Sequence, residues 1–248
     1  MPHPFALPRS SRSALDDSLI VLRLAVLYAL LGLGSHYLAA WLMRRGASSL
    51  HIDTQFLLLD AIFGAGIILG SLLIAWLLRP GEALRWLFGP TPSRLRVLLL
   101  ALVGAAVMVA IADPLAGWLD LRISREEILP EPVEPPRGVA PLLELKGGRL
   151  VAGLAIAILW IPLAEELVFR GWLFKGLAHT RPGLLVALPS TTIIFALLHS
   201  FYSPGGVLVI GLLGAFLGWL RWRYDQLLPC VLCHALYNGL TLLMVALW

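Results

Sequence analysis

The strongest constraint on this chain is the length of its apolar runs. Seven stretches, at roughly 19–42, 56–78, 97–119, 150–173, 184–202, 205–221 and 227–248, are rich in Leu, Ala, Val, Ile and Gly and carry few ionisable residues. About 20 such residues let a helix cross the hydrocarbon of a bilayer. Hydrophobic residues make up 59% of the 248 and charged residues 14%, with mean hydropathy +0.85. A soluble domain of this size needs far more polar surface. The expected fold is therefore all-α: a polytopic transmembrane helix bundle of about seven spans.

The spans divide the chain. Residues 1–18 read as a polar N-terminal tail and 19–119 as a three-helix membrane part. Residues 120–149 read as an exposed Pro/Glu-rich linker, because Glu-Pro-Val-Glu-Pro-Pro at 131–136 denies a regular helix. Residues 150–248 form a four-helix membrane part. The sixth span is crowded with glycine (Gly205, Gly206, Gly211, Gly214, Gly218), which lets membrane helices approach closely. The N-terminus lacks the pattern of a cleaved signal peptide. Asp16 and Asp17 precede the first apolar run, that run is too long, and no small-residue cleavage site follows it.

The net charge of +4 sits between apolar runs rather than in a basic-aromatic patch, so it speaks to lipid headgroups and orientation and not to nucleic acid. With the N-terminus in the cytoplasm, ten Lys/Arg fall on inside segments against seven outside, five of the seven in the 120–149 loop. The expected topology is N-in and C-out. The two cysteines, Cys230 and Cys233, imply no disulfide framework.

Ionisable residues within a span cost roughly 2.5–3.5 kcal/mol each and mark function. In the N-terminal half they are few. Arg23 can snorkel from a span end, His36 reads as a packed residue, and Asp60 and Asp113 read as structural groups near span ends. The C-terminal half is different. Its first span reads Trp160-Ile-Pro-Leu-Ala-Glu165-Glu166-Leu-Val-Phe-Arg170-Gly171. Glu166 and Arg170 are one turn apart and can pair. Glu165 is turned about 100° away and has no local partner. Pro162 disturbs the helix and can free a carbonyl nearby. The next span supplies Phe195 and His199, and the last supplies His234 and Asn238, each pair on one face.

Three spans thus present polar faces that should turn toward one another. A polar cluster that merely glues the bundle would use Ser, Thr and small residues. No Ser or Cys stands beside a base; Ser200 points away from His199. A desolvated Glu suits a general base acting on water. His199 could share that proton or position the water. His234 and Asn238 can donate to a developing oxyanion. These are the parts of amide hydrolysis without a covalent intermediate.

Glu165-Glu166-x-x-x-Arg170, Phe195-x-x-x-His199 and His234-x-x-x-Asn238, in that order on three helices, resemble the CAAX-processing and bacteriocin-processing intramembrane proteases. Pro162 and Phe169-Arg170-Gly171 flank the first motif as in that family. The resemblance covers about residues 150–240. It implies a glutamic intramembrane endopeptidase, metal-independent and without cofactor. By motif position, Glu165 activates water with help from His199, His234 and Asn238 form the oxyanion hole, and Glu166 with Arg170 holds the architecture. The implied partner is a membrane-anchored or membrane-proximal protein or peptide, cut near its C-terminus, within a bacterial cytoplasmic (inner) membrane.

Other readings stay open. Glu165, His199 and His234 could form a catalytic zinc set, although the His-Glu-x-x-His helix signature is missing. Cys230-Val-Leu-Cys233-His234 fits a c-type haem attachment pattern, in an apolar context that suits it poorly. The cluster could instead serve a transporter, or a member of the family turned to immunity or binding. One geometric tension remains. His199 falls near the far end of its span, whereas Glu165 and His234 lie toward the cytoplasmic side. A tilted helix or a re-entrant turn at Ser203-Pro204-Gly205-Gly206 would bring them level.

Overall fold

The computed structural model describes residues 14–47, 50–78, 80–89, 94–125, 142, 144–180 and 182–247. Residues 1–13 of the expected tail, and 126–141 and 143 of the expected linker, lie outside the described residues. The elements are all helical: α1 (Ala14–Leu42), α2 (Ile52–Leu78), α3 (Ala83–Phe88), α4 (Leu95–Val107), α5 (Asp113–Arg125), α6 (Gly148–Ala155), α7 (Ile161–Glu166), α8 (Lys175–Ala178), α9 (Leu184–Leu198), α10 (Pro204–Tyr224) and α11 (Leu228–Leu247). Wider π-helical turns join α4 to α5 (Met108–Ala112), α6 to α7 (Ile156–Trp160) and α7 to α8 (Leu167–Phe174). Gly148–Ala178 is therefore one long helix, 31 residues in all.

Among the described residues, five helices are long and apolar enough to cross a membrane: Ile52–Leu77, Leu95–Ile123, Gly148–Ala178, Pro204–Tyr224 and Leu228–Leu247. Helix α1 and the apolar α9, too short to be counted with these five, lie in the other two stretches read as spans from the sequence. Large apolar side chains point outward all round the bundle, among them Leu30, Leu73, Val103, Leu159 and Ile193. That is the surface lipid requires. Chain 120–125, expected as linker, continues α5 to Arg125.

The core has three parts, and the long helix contributes to two of them, the smallest being Phe174, Leu177 and Ala178 packed with Ala187 of α9. Leu31 of α1 and Ile67, Ile68 and Ala75 of α2 pack on Leu167, Val168 and Phe169. Ala101 and Ala105 of α4 pack on Val209, Leu213 and Leu217 of α10 and on Cys230, Cys233 and Tyr237 of α11. The N-terminal helices thus flank the C-terminal ones on both sides. The glycines of α10 permit its tight seat. A Cβ at Gly218 would press on Leu188 and Phe174, and one at Gly214 on Phe195.

The other end of the bundle is closed by a backbone clasp. Lys175 Nζ donates to Trp86 O (2.6 Å) and Leu227 N–H donates to Phe88 O (3.0 Å). Lys175 and Arg221 both lie near Asp225 Oδ1, at 3.6 and 3.3 Å. Asp225 ends α10 in the left-handed region, φ 49°, with its N–H on Arg221 O. Gly89 stands against it at φ 106°, where any Cβ would collide with the Asp225 carbonyl oxygen. Backbone cannot yield as a side-chain tip would, and the φ itself is strained for an L-residue. Gly89→Ala should lower stability by about 2 kcal/mol or more, read as an earlier thermal melt in detergent. A melt matching wild type would refute the clasp.

Candidate active site

Glu166 is held through one of its two carboxylate oxygens, and the other, Oε2, is buried without a hydrogen-bond partner. The residue is fully buried, and its Oε1 receives two donors from different directions: Arg170 Nη1 at 2.9 Å from its own helix and His234 Nδ1 at 2.9 Å from α11. The Arg170 pairing is the one expected from four-residue spacing. It persists through a π-helical stretch because four residues still return close to the same face of the wider turn. Arg170 is also fully buried, and donates through Nη2 to Gly214 O on α10 (2.9 Å). Its guanidinium lies over the Phe195 ring at 4.7 Å and near Phe169 at 5.7 Å, so aromatic faces take part of its charge.

His234 joins the two glutamates. A carboxylate paired with arginine accepts, so Nδ1 carries the proton to Glu166 and Nε2 faces the other way. There it meets Glu165 Oε2 at 3.8 Å, an ion-pair distance rather than a hydrogen bond. The Glu165 side chain is 26% exposed, whereas that of Glu166 is 0% exposed. The adjacent carboxylates therefore differ in kind: one is locked, the other open.

Phe195 brings His199 level with this group. Its ring is buried and packs on Phe169 (5.0 Å between centroids), His199 (4.8 Å) and His234 (5.7 Å). The depth conflict in the sequence disappears because α9 has only 15 residues and stops at Leu198. His199 caps it, and the chain turns through 199–203 into α10. His199 Nδ1 donates to Phe195 O at 2.7 Å, leaving Nε2 as its free acceptor. Tyr202, in the same turn, stacks on His199 at 6.1 Å. Sequence reasoning passed over Tyr202, since an aromatic at a span end signals only an interface.

Asn238 is explained by Pro162. In the π-helical turn before α7, Ile161 N–H donates to Ile156 O, five residues back. The next bond in that register would run from residue 162 to Ala157 O, but proline has no N–H. Asn238 Nδ2 donates to Ala157 O instead, at 3.0 Å. The freed carbonyl expected from Pro162 is therefore present, and the third motif occupies it. One Nδ2 proton remains for another acceptor.

Among the described residues no group of three or more His, Cys, Asp or Glu is placed to hold an ion. The haem pattern also lacks the access that attachment needs: Cys230 and Cys233 are fully buried, and His234 is engaged with Glu166.

The fold and the site define a helical membrane protein with a carboxylate–imidazole cluster enclosed by three helices. Residues 147–240 match the family model described as type II CAAX prenyl endopeptidase Rce1-like. The similarity is confined to that segment, which is less than half of the 248 residues. No curated protein and no solved structure matches the chain.

The Pro162–Asn238 exchange makes a double-mutant test. Asn238→Ala should cost about 1–3 kcal/mol by stranding the half-buried Ala157 carbonyl. In a Pro162→Ala background, whose alanine restores an N–H, the same change should cost clearly less. Equal costs in the two backgrounds, measured by thermal melting, would show that Asn238 does not serve that carbonyl.

Proposed function

We propose that this chain is a glutamic intramembrane endopeptidase in which Glu165 is the general base. The observation that carries the reading is the division between the glutamates. Glu166 is consumed by Arg170 and His234, and Glu165 is left partly exposed against the free nitrogen of the same histidine.

In this mechanism Glu165 takes one proton from water, and His199 Nε2 accepts a hydrogen bond from the O–H that remains, which aims the oxygen. The oxygen attacks the scissile carbonyl. The resulting oxyanion lies against His234 and Asn238. His234 donates from Nε2 when its ring carries a second proton. Glu166 offsets the charge of that ring, and Arg170 offsets Glu166. Asn238 offers its remaining Nδ2 proton. Glu165 then returns its proton to the leaving amine. No metal or cofactor takes part. The substrate is a membrane-anchored or membrane-proximal protein or peptide cut near its C-terminus, for which the family's name supplies a first probe, a prenylated CAAX-tailed peptide. The setting proposed is a bacterial cytoplasmic membrane with the N-terminus inside.

Glu165→Gln should abolish cleavage of that peptide and the appearance of new C-termini in the membrane proteome by mass spectrometry. It should melt like wild type, because the side chain is neither fully buried nor paired on its own helix. Undiminished cleavage would sink the assignment. Wild-type activity should survive a strong chelator; loss on chelation with recovery on zinc would replace this mechanism by a metal-dependent one. Arg170→Ala should behave differently and lose about 3–5 kcal/mol of stability, since it leaves Glu166 charged and buried. Full stability in detergent melts would count against the pairing.

A further inference from the structure

The Rce1-like match begins at residue 147 and leaves the N-terminal helices without a role. One contact from that region reaches the turn that carries His199. Asp120, near the end of α5, accepts from Ser203 Oγ through Oδ2 (2.6 Å) and from Gly205 N–H through Oδ1 (2.7 Å). Ser203 Oγ in turn accepts from Gly206 N–H at 3.1 Å. The carboxylate ties down the start of α10 directly at the Gly205 N–H and, through Ser203 Oγ, at the Gly206 N–H. Its negative charge also suits that helix end. The approach is close by construction. A Cβ at Gly205 would collide with Ala116 O, so only glycine lets the α5 backbone sit there.

Five residues, 199–203, join α9 to α10, and they are bonded internally: Ser200 N–H to Leu197 O at 3.1 Å and Tyr202 N–H to His199 O at 3.0 Å. A turn this short transmits displacement. Helix α10 is held at Gly214 by Arg170, and nine residues earlier, at Gly205, by Asp120. The first point belongs to the site. The second holds the start of α10, directly after the turn that carries His199 and Tyr202. We infer that Asp120 is a positioning residue for the proposed hydrolysis, holding the His199–Ser203 turn through Ser203 and Gly205. This rests on the protease reading.

The test uses the full-length protein in detergent with the prenylated CAAX peptide, comparing Asp120→Asn, Asp120→Ala and Ser203→Ala with wild type and Glu165→Gln. Asparagine keeps size but loses one of the two acceptors. The expected result for Asp120→Asn is a tenfold to hundredfold fall in kcat, KM within about twofold, and nearly unchanged melting. Hydrogen exchange by mass spectrometry should quicken in the peptide holding Gly205 and Gly206 and stay unchanged around Glu166. Adding Ser203→Ala to Asp120→Asn should cost little more, since both act through one contact. Should Asp120→Ala fail to fold, the asparagine and Ser203→Ala variants decide. Unchanged kcat, unchanged exchange at Gly205 and Gly206, or activity loss that only tracks loss of folded protein overturns the inference. Failure of the protease reading shows separately, as equal inactivity of wild type and Glu165→Gln on this peptide and on new C-termini in membranes. That outcome removes the positioning role with it.

Discussion

The site depends on one buried oxygen. Glu166 Oε1 holds Arg170 and His234 at once, at 2.9 Å each, and through them joins the long helix to α10 and α11. A lone carboxylate in that place would be too costly to keep ionised. Shared between a guanidinium and an imidazole, it becomes the fixed point from which the other groups take their geometry. His234 gains a defined tautomer. Arg170 gains an orientation that lets it lie over Phe195. Phe195, packed against both histidines, sets their separation. The open glutamate differs from the locked one by a single step of the helix, about 100°.

Much of this was legible in the residues themselves. The apolar runs gave the helices, and four-residue spacing gave the Glu166–Arg170 pair and the faces of the other two motifs, because those relations are local and periodic. Pro162 announced a carbonyl without a donor. What periodicity cannot say is which helix meets which. The bond from His234 to Glu166 spans 68 positions, and that from Asn238 to Ala157 spans 81. Both needed the packing. His199 looked too deep for the same reason: the sequence shows an apolar run to residue 202, whereas the helix ends at 198. Asp120 carried no signal at all. An acidic residue after an apolar run reads as the start of a loop until Ser203 and Gly205 stand beside it.

The arrangement also divides the work between halves of the chain. The three motifs lie on helices matched by the family model, yet the core around them is completed from outside it. Helices α1 and α2 cover the π-helical stretch with Arg170, and α4 and α5 cover α10 and α11. Substitutions in the N-terminal half can therefore reach the site through packing.

The shortness of α9 has a consequence for water. Fifteen residues rise about 22 Å, less than the roughly 30 Å of bilayer hydrocarbon. Such a helix cannot have both ends among headgroups. Non-helical backbone at depth is tolerated only inside protein or beside water, and Ser200 and Phe201, next to His199, are exposed. For the proposed hydrolysis, water would reach the site past this short helix, and no long channel to the midplane need be built.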